Sequence, residues 1–255
     1  DEIRDLPFLQ QLLLNNNAIT SLSPEVGTLT SLTTITISKN KFSGTFPAEV
    51  LSMQNLKSLD CSSNAFTGTI TSIPSHITSL NLSYNALYSD NPDIRTKLNY
   101  GTQTVPQKIT DVRVIGSGKV RVTWQKEGNV VNPGYYVVLM GTSVDALTQV
   151  AQTPDTTITT TEIEGITADQ PYYFAVRLVT AAHTANTNIS ESIVGTPFAF
   201  TYTAPFIVVT SPDGGESFQM KNTLPVSWLT NLTDPVRVEL YQNNLLMDVL
   251  SEGTT

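Results

Sequence analysis

Apolar residues in the first hundred positions fall on a template that occurs four times. Leu9-x-x-Leu12-x-Leu14-x-x-Asn17-x-Ile19 is followed by Leu32-x-x-Ile35-x-Ile37-x-x-Asn40-x-Phe42. Leu56-x-x-Leu59-x-Cys61-x-x-Asn64-x-Phe66 and Ile77-x-x-Leu80-x-Leu82-x-x-Asn85-x-Leu87 come next, at steps of 23, 24 and 21 residues. A unit that recurs at such a period buries its apolar edge only against the next copy. Each copy predicts one short parallel strand and a turn back. Cys61 stands where the other copies have Leu14, Ile37 and Leu82, so it reads as a small core hydrophobe.

From Val105 the pattern changes to alternation with period two. Val120-Arg121-Val122-Thr123-Trp124, Tyr136-Val137-Val138-Leu139 and residues 156–163 read as half-buried strands. A third segment begins at Pro205-Phe206. In it Ile207-Val208-Val209 precedes the Ser211-Pro212-Asp213-Gly214-Gly215-Glu216 turn, a strand ending at Trp228, and Val236-Arg237-Val238-Glu239-Leu240-Tyr241. The expected fold class is mainly β: a short repeat solenoid and β-sandwich domains in tandem. The expected domains are 1–103, 104–198 and 199–255. The connectors, Thr102 to Pro106 and Thr196 to Pro205, are short and contain Pro, which restricts domain angles more than a Gly/Ser linker would.

The repeats resemble the leucine-rich repeat family, which implies that the Asn of each copy satisfies backbone groups where the chain turns inward. Ser43-Gly44-Thr45-Phe46-Pro47 and Thr67-Gly68-Thr69-Ile70 are similar to the convex stretch of its plant-type subclass. The second stretch lacks the Pro, Ser21-Leu22-Ser23-Pro24 lacks the Gly, and cysteine-paired caps are missing. The middle segment resembles a fibronectin type III domain, on Trp124, on Ile166 six residues before Tyr172, and on Tyr172-x-Phe174-x-Val176-x-Leu178. That resemblance implies a corner in which the Tyr172 hydroxyl bonds to backbone just upstream. The last segment is similar to Ig-like domains of Ser/Thr-rich, often glycolipid-anchored surface and cell-wall proteins. Only about half of a roughly 100-residue sandwich precedes Thr255. The expectation is that the polypeptide continues or another molecule supplies the remaining strands, and Asp1 looks like a mature or trimmed start.

Composition narrows the function. Charged residues are 14% of the chain against roughly 25% in ordinary domains, and Ser and Thr together fill nearly a quarter. The hydroxyls read first as exposed strand faces and second as O-glycan acceptors. A net charge of −8 without a basic run excludes a nucleic-acid partner. No apolar run approaches the roughly 18 residues of a membrane span. The single Cys61 excludes an internal disulfide. Alone that would point to a reducing compartment, but the module types point to an extracellular, cell-surface or matrix location.

Catalytic chemistry finds little to work with. His76 and His183 lie about a domain apart, and no Ser-His-acid set can be built from them with the sole Cys buried. Gly116-Ser117-Gly118 reads as a hairpin turn, since no helix follows to cradle phosphate. Asp90 and Asp93 lack the dense oxygen spacing of a calcium loop. The chain is therefore expected to be no enzyme and to hold no cofactor or metal. Three sequons, at Asn81, Asn188 and Asn231, are glycosylation candidates. Asn188 is expected in the most accessible loop, Asn231 in a turn, and Asn81 on the concave repeat face.

The outward columns of the repeats read Gln11, Thr34, Ser58, Ser79, then Leu13, Thr36, Asp60, Asn81, then Asn15, Ser38, Ser62, Ser83, then Asn16, Lys39, Ser63, Tyr84. They are small and polar, and Lys39, Asp60 and Tyr84 stand out as binding candidates. Three roles remain open. One is a structural subunit or stalk of a surface or matrix assembly, a glycosylated filament for example, with self-assembly or surface-protein partners. Another is an adhesion or ligand-binding ectodomain whose concave face meets protein or glycan, although no Arg-Gly-Asp tripeptide supports an integrin-type mechanism. The last is an accessory region of a larger secreted hydrolase.

Overall fold

The computed structural model describes residues 2–116, 118–130, 133–205, 207–212, 225–230, 232, 235–242 and 245–254. Contacts divide the chain into two units, Asp1–Tyr202 and Thr203–Thr255. Seven short strands lie in the repeats: β1 (Gln11–Leu13), β2 (Thr34–Thr36), β3 (Ser43–Thr45), β4 (Ser58–Asp60), β5 (Ala65–Thr69), β6 (Ser79–Asn81) and β7 (Ala86–Tyr88). They make two parallel sheets, ordered β1-β2-β4-β6 and β3-β5-β7. Registers such as Leu12↔Ile35 and Leu59↔Leu80 align the template residues from coil to coil. The second sheet was not foreseen: the convex Ser-Gly-Thr and Thr-Gly-Thr stretches pair as strands, with Gly44 opposite Phe66. Leu12, Ile35, Leu59, Ile37, Cys61 and Leu82 are buried between the sheets, as the template predicts.

Coiling a chain this tightly turns backbone amides and carbonyls into a dry interior, where each must find a partner. The template asparagines supply them. Asn64 Nδ2 donates to the carbonyls of Ile37 (3.0 Å) and Cys61 (3.1 Å), while its Oδ1 accepts from Phe42 N (3.2 Å). Asn40 and Asn85 repeat the arrangement, accepting from Ile19 N and Phe66 N. One residue earlier, Asn16, Lys39, Ser63 and Tyr84 all take left-handed backbone angles, with φ between 53° and 59°. Only Asn among these types adopts that region readily, so the turn is imposed by the ladder.

The chain then forms α1 (Pro92–Lys97), capped by Asn91 Oδ1 at Asp93 N and Ile94 N. The next strands are β8 (Lys108–Gly116), β9 (Lys119–Gln125), β10 (Gly134–Gly141), β11 (Thr148–Gln152), β12 (Thr160–Glu164), β13 (Pro171–Thr180), β14 (Ser190–Glu191) and β15 (Phe198–Thr201). One antiparallel sheet runs β12-β9-β8; the other runs β11-β10-β13-β14, with β15 also on β13. Val120, Val122 and Trp124 from the first meet Tyr136, Val138, Phe174, Val176 and Leu178 from the second in one core. Thr167 N donates to the Tyr172 hydroxyl at 3.0 Å, the expected upstream bond with the hydroxyl as acceptor.

Four expectations shift here. The Tyr136 to Leu139 run is buried on both faces, because Val137 and Leu139 pack with Ala175 and Val179 under Leu147 and Val194. The predicted 156–163 strand begins only at Thr160, since Asp155 Oδ1 holds Thr157 N (2.7 Å) in a turn. Part of the supposed connector after Thr196 is β15, paired with β13 from Pro171↔Thr201 to Phe174↔Phe198, so the unit boundary falls at Tyr202 rather than 198. Nor do residues 103 and 104 separate two units, since contacts join everything up to Tyr202. The β8–β9 pairing closes the expected hairpin, with Ser117 outside the described residues.

The second unit contains β16 (Ile207–Ser211) paired with β17 (Ser227–Thr230), and β18 (Val236–Gln242) paired with β19 (Leu245–Thr254), both antiparallel. Val208, Val209, Leu229, Leu240, Leu246 and Met247 are exposed, and no buried apolar cluster forms among its described residues. The Asp213-Gly214-Gly215-Glu216 turn lies outside the described residues.

These cores lead to two measurements. Asn64→Ala strands several buried backbone groups at once and is expected to lower unfolding free energy by about 3 kcal/mol in denaturant titration. Tyr136 is fully buried with its ring edge-on to Trp124; burial pushes its hydroxyl up to about 12, against a smaller opposing influence of the Trp124 side chain. Tyr136→Phe should change stability by no more than about 1 kcal/mol in the same titration, because the hydroxyl makes no well-formed hydrogen bond.

Candidate interaction surface and module junction

The β1-β2-β4-β6 sheet carries Gln11, Leu13, Thr34, Thr36, Ser58, Asp60, Ser79 and Asn81 on its strands. Asp60 ends β4, half-buried, and its Oδ1 accepts from Ser62 N (3.0 Å) and Ser62 Oγ (2.7 Å). Asn81 is exposed on β6, its Oδ1 accepting from Ser83 N at 3.3 Å. Lys39 and Tyr84 are not on the strand face. They occupy the left-handed turns of the second and fourth coils, with Lys39 exposed and its N donating to Ser62 O at 2.9 Å. The three binding candidates are thus not on one strand face. Cys61 is buried beneath this face, and burial, with the charge of Asp60 adding, pushes its thiol well above the ordinary range.

Tyr84 belongs to a junction instead. Its ring meets His183 edge-on, with centroids 5.9 Å apart. Around it the repeat array and the two-sheet module are stitched by polar side chains that sequence reading missed. Gln103, in the expected connector, is fully buried and extends the asparagine ladder by one rung. Its Oε1 accepts from Leu87 N (3.1 Å) and its Nε2 donates to the carbonyls of Leu82 and Leu98 (2.9 Å each). Its own carbonyl accepts from Asn129 N at 2.6 Å, carrying the ladder into the next module. Thr104 N donates to Asn85 O while Thr104 Oγ1 donates to Thr180 Oγ1 at 2.8 Å. The only sequence cue is a polar Gln103, eighteen residues after Asn85, without the apolar template around it.

The loop at 183–190 completes the junction. Asn186 is buried, and its Nδ2 donates to Asn64 O (2.8 Å) and Tyr84 O (2.9 Å). Asn188 is half-buried, with Nδ2 donating to Asn40 O at 2.7 Å and to Ser63 O at 3.4 Å. Asn188 is therefore not the accessible glycan acceptor of the sequence reading, because the loop lies on the repeats instead of projecting into water. Asn231 lies outside the described residues.

A cleft of about 310 Å³ opens beside the junction, between Tyr88, Arg95, Gln107, Lys108 and Glu127. The Arg95 guanidinium lies 4.8 Å from the Tyr100 ring centre and 5.5 Å from that of Tyr88, with Nε donating to Ser89 O at 2.6 Å. Burial, the largest influence, pushes the Tyr100 hydroxyl upward. Near the other end of the repeats, Leu22, Phe42, Phe46 and Val50 line an apolar hollow of about 180 Å³. His76 bonds to Met53 O at 3.1 Å, away from the His183 junction. Asp90 accepts from the Tyr88 hydroxyl at 2.6 Å. Among the described residues no three His, Cys, Asp or Glu side chains gather as metal ligands, and no helix is long and apolar enough to cross a membrane.

Gly128 shows how closely the modules approach. Its φ is +73°, and an added Cβ would lie 2.4 Å from Gln103 O and 2.6 Å from Val105 Cγ2. Gly128→Ala must strain its own backbone and push the terminal rung aside. A loss of about 2–3 kcal/mol in denaturant unfolding is expected.

Residues 7–66 match the family model described as leucine rich repeat. No curated protein matches the chain. A solved structure described as "Myokine structure" is similar over 40% of this chain and 98% of that chain, at 19% identity and a TM-score of 0.31; a likeness of that strength carries no argument. The matched segment covers the template through Phe66, so the chain contains leucine-rich repeats, a module type that suggests a protein-interaction or scaffold role with protein partners.

Proposed function

We propose that the chain is a non-catalytic extracellular scaffold, a subunit or stalk of a surface or matrix assembly. In this reading it is built from leucine-rich repeats, a fibronectin type III-like sandwich up to Tyr202, and Ig-like β-structure of the Ser/Thr-rich surface-protein kind. The observation that carries it is the junction. Gln103, Thr104, Asn186 and Asn188 bind the repeats to the next module through buried or half-buried hydrogen bonds, which suits a part that transmits position rather than one that opens around a substrate. The two opposed antiparallel sheets and the Thr167–Tyr172 bond support the fibronectin-like assignment. Exposed apolar strands such as Val208-Val209 and Leu245-Leu246-Met247 support an Ig-like piece whose faces pair with further β-structure.

Electron microscopy of native surface material is expected to find this chain in filaments or sheets. Dispersed monomers at high concentration would count against the scaffold.

An adhesion ectodomain is the second reading, favoured by the half-exposed Asp60 at the end of β4 and the exposed Lys39 in the turn of the second coil, both among small polar neighbours. Lys39→Ala with Asp60→Ala should then weaken binding to a surface partner about tenfold, and full retention of affinity in an equilibrium binding assay would remove this reading.

A further inference from the structure

We propose that the loop at 183–190 is a latch that closes the two-sheet module onto the repeats, and that an N-linked glycan on Asn188 and the closed latch exclude each other. The loop is held in shape by hydrogen bonds of its own. His183 N donates to Asn186 O at 2.7 Å and Asn186 N returns to His183 O at 3.1 Å. Asn186 Oδ1 then accepts from Asn188 N at 3.0 Å, fixing the two carboxamides two residues apart. Between them they reach carbonyls of three successive coils: Asn40 in the second, Ser63 and Asn64 in the third, Tyr84 in the fourth. The coils are set one above another by the strand registers, so only a correctly stacked array presents those carbonyls together. The latch therefore reads the spacing of the repeats.

Asn188-Ile189-Ser190 is also a sequon. Its Ile189 side is exposed, whereas its amide nitrogen faces Asn40 O. N-glycosylation would form a bond from Asn188 Nδ2 to the anomeric carbon of a sugar. The bond from that carbon to the pyrophosphate of a lipid-linked donor breaks, the pyrophosphate leaves with the electron pair, and one amide proton is released. The single N–H left cannot serve Asn40 O, Asn186 Oδ1 and Ser63 O together, and a hexosamine ring has no room at a 2.7 Å contact. A chain modified before the module docks would remain open, and a docked chain would be shielded from modification. The glycan half rests on the extracellular reading; the latch does not.

Two arms test this with the full chain. In the first, unglycosylated protein from a bacterial host is compared with Asn188→Asp and with Asn186→Ala/Asn188→Ala. The aspartate keeps the size and loses both donors, and neither variant can carry a glycan at 188. The parent should show one calorimetric transition for the repeats and the two-sheet module. The variants should show two transitions and about tenfold faster trypsin cleavage at Lys97 or Lys108. A single transition and unchanged cleavage in both variants would overturn the latch. In the second arm, parent and Asn186→Ala, which keeps the sequon, are secreted from one glycosylating host and mapped by peptide mass spectrometry. Occupancy of Asn188 should rise several-fold in the variant while exposed Asn81 is unchanged. Parent protein that carries a glycan at Asn188 and still melts in one transition would overturn the exclusion. Chains bare at every sequon would overturn the exclusion and the extracellular reading together, and leave the latch to the first arm.

Discussion

A chain that turns back on itself every 21 to 24 residues must put backbone N–H and C=O groups into an interior that holds little besides Leu, Ile and Phe. Each of those groups left unpaired costs about 1–3 kcal/mol, and burial of a whole Leu contributes a similar amount. The repeats are therefore stable only because a side-chain amide, acceptor and donor at once, stands at the same place in each coil. Asn40, Asn64 and Asn85 do this in turn. Everything else in the array, from the parallel registers to the left-handed residues before each Asn, comes from keeping that column straight.

A column of that kind cannot stop without leaving the carbonyls of its last coil exposed to an apolar neighbour. Gln103 resolves the end by reaching one methylene further than Asn, and its own carbonyl passes the accounting to Asn129 in the next module. Gly128, without a Cβ, leaves room for that approach. Asn186 and Asn188 take up carbonyls along the turn edge in the same way. One chemical device, the carboxamide matched to backbone, thus builds the repeats, ends them and fastens the two-sheet module to them. That continuity is why contacts join residues 1–202 in one unit across a junction expected to be a short, angle-restricting connector.

The two-sheet module depends on a different constraint, the alternation of side chains across a strand. Val120, Val122 and Trp124 point inward because the strand period is two. Strands β10 and β13 escape that rule, since each is covered on both faces. The continuous apolar run from Tyr136 to Leu139 is the sequence trace of central position, and half-burial was the wrong reading of it.

The repeats were legible residue by residue, because local periodicity decides which side chains meet. Cys61 could be placed without coordinates for that reason, whereas the Asn ladder and the bond from Tyr172 to upstream backbone were implied by the family resemblances. What the sequence could not reveal was where the modules touch. Asn188 has the same sequon whether its loop lies in water or on Asn40, and Tyr84 sits in the same outward column whether it faces a ligand or His183. Those contacts join residues about 100 to 150 positions apart, and no local pattern encodes them. Only docking of the second module on the turn edge of the first decided which polar side chains remain free to bind.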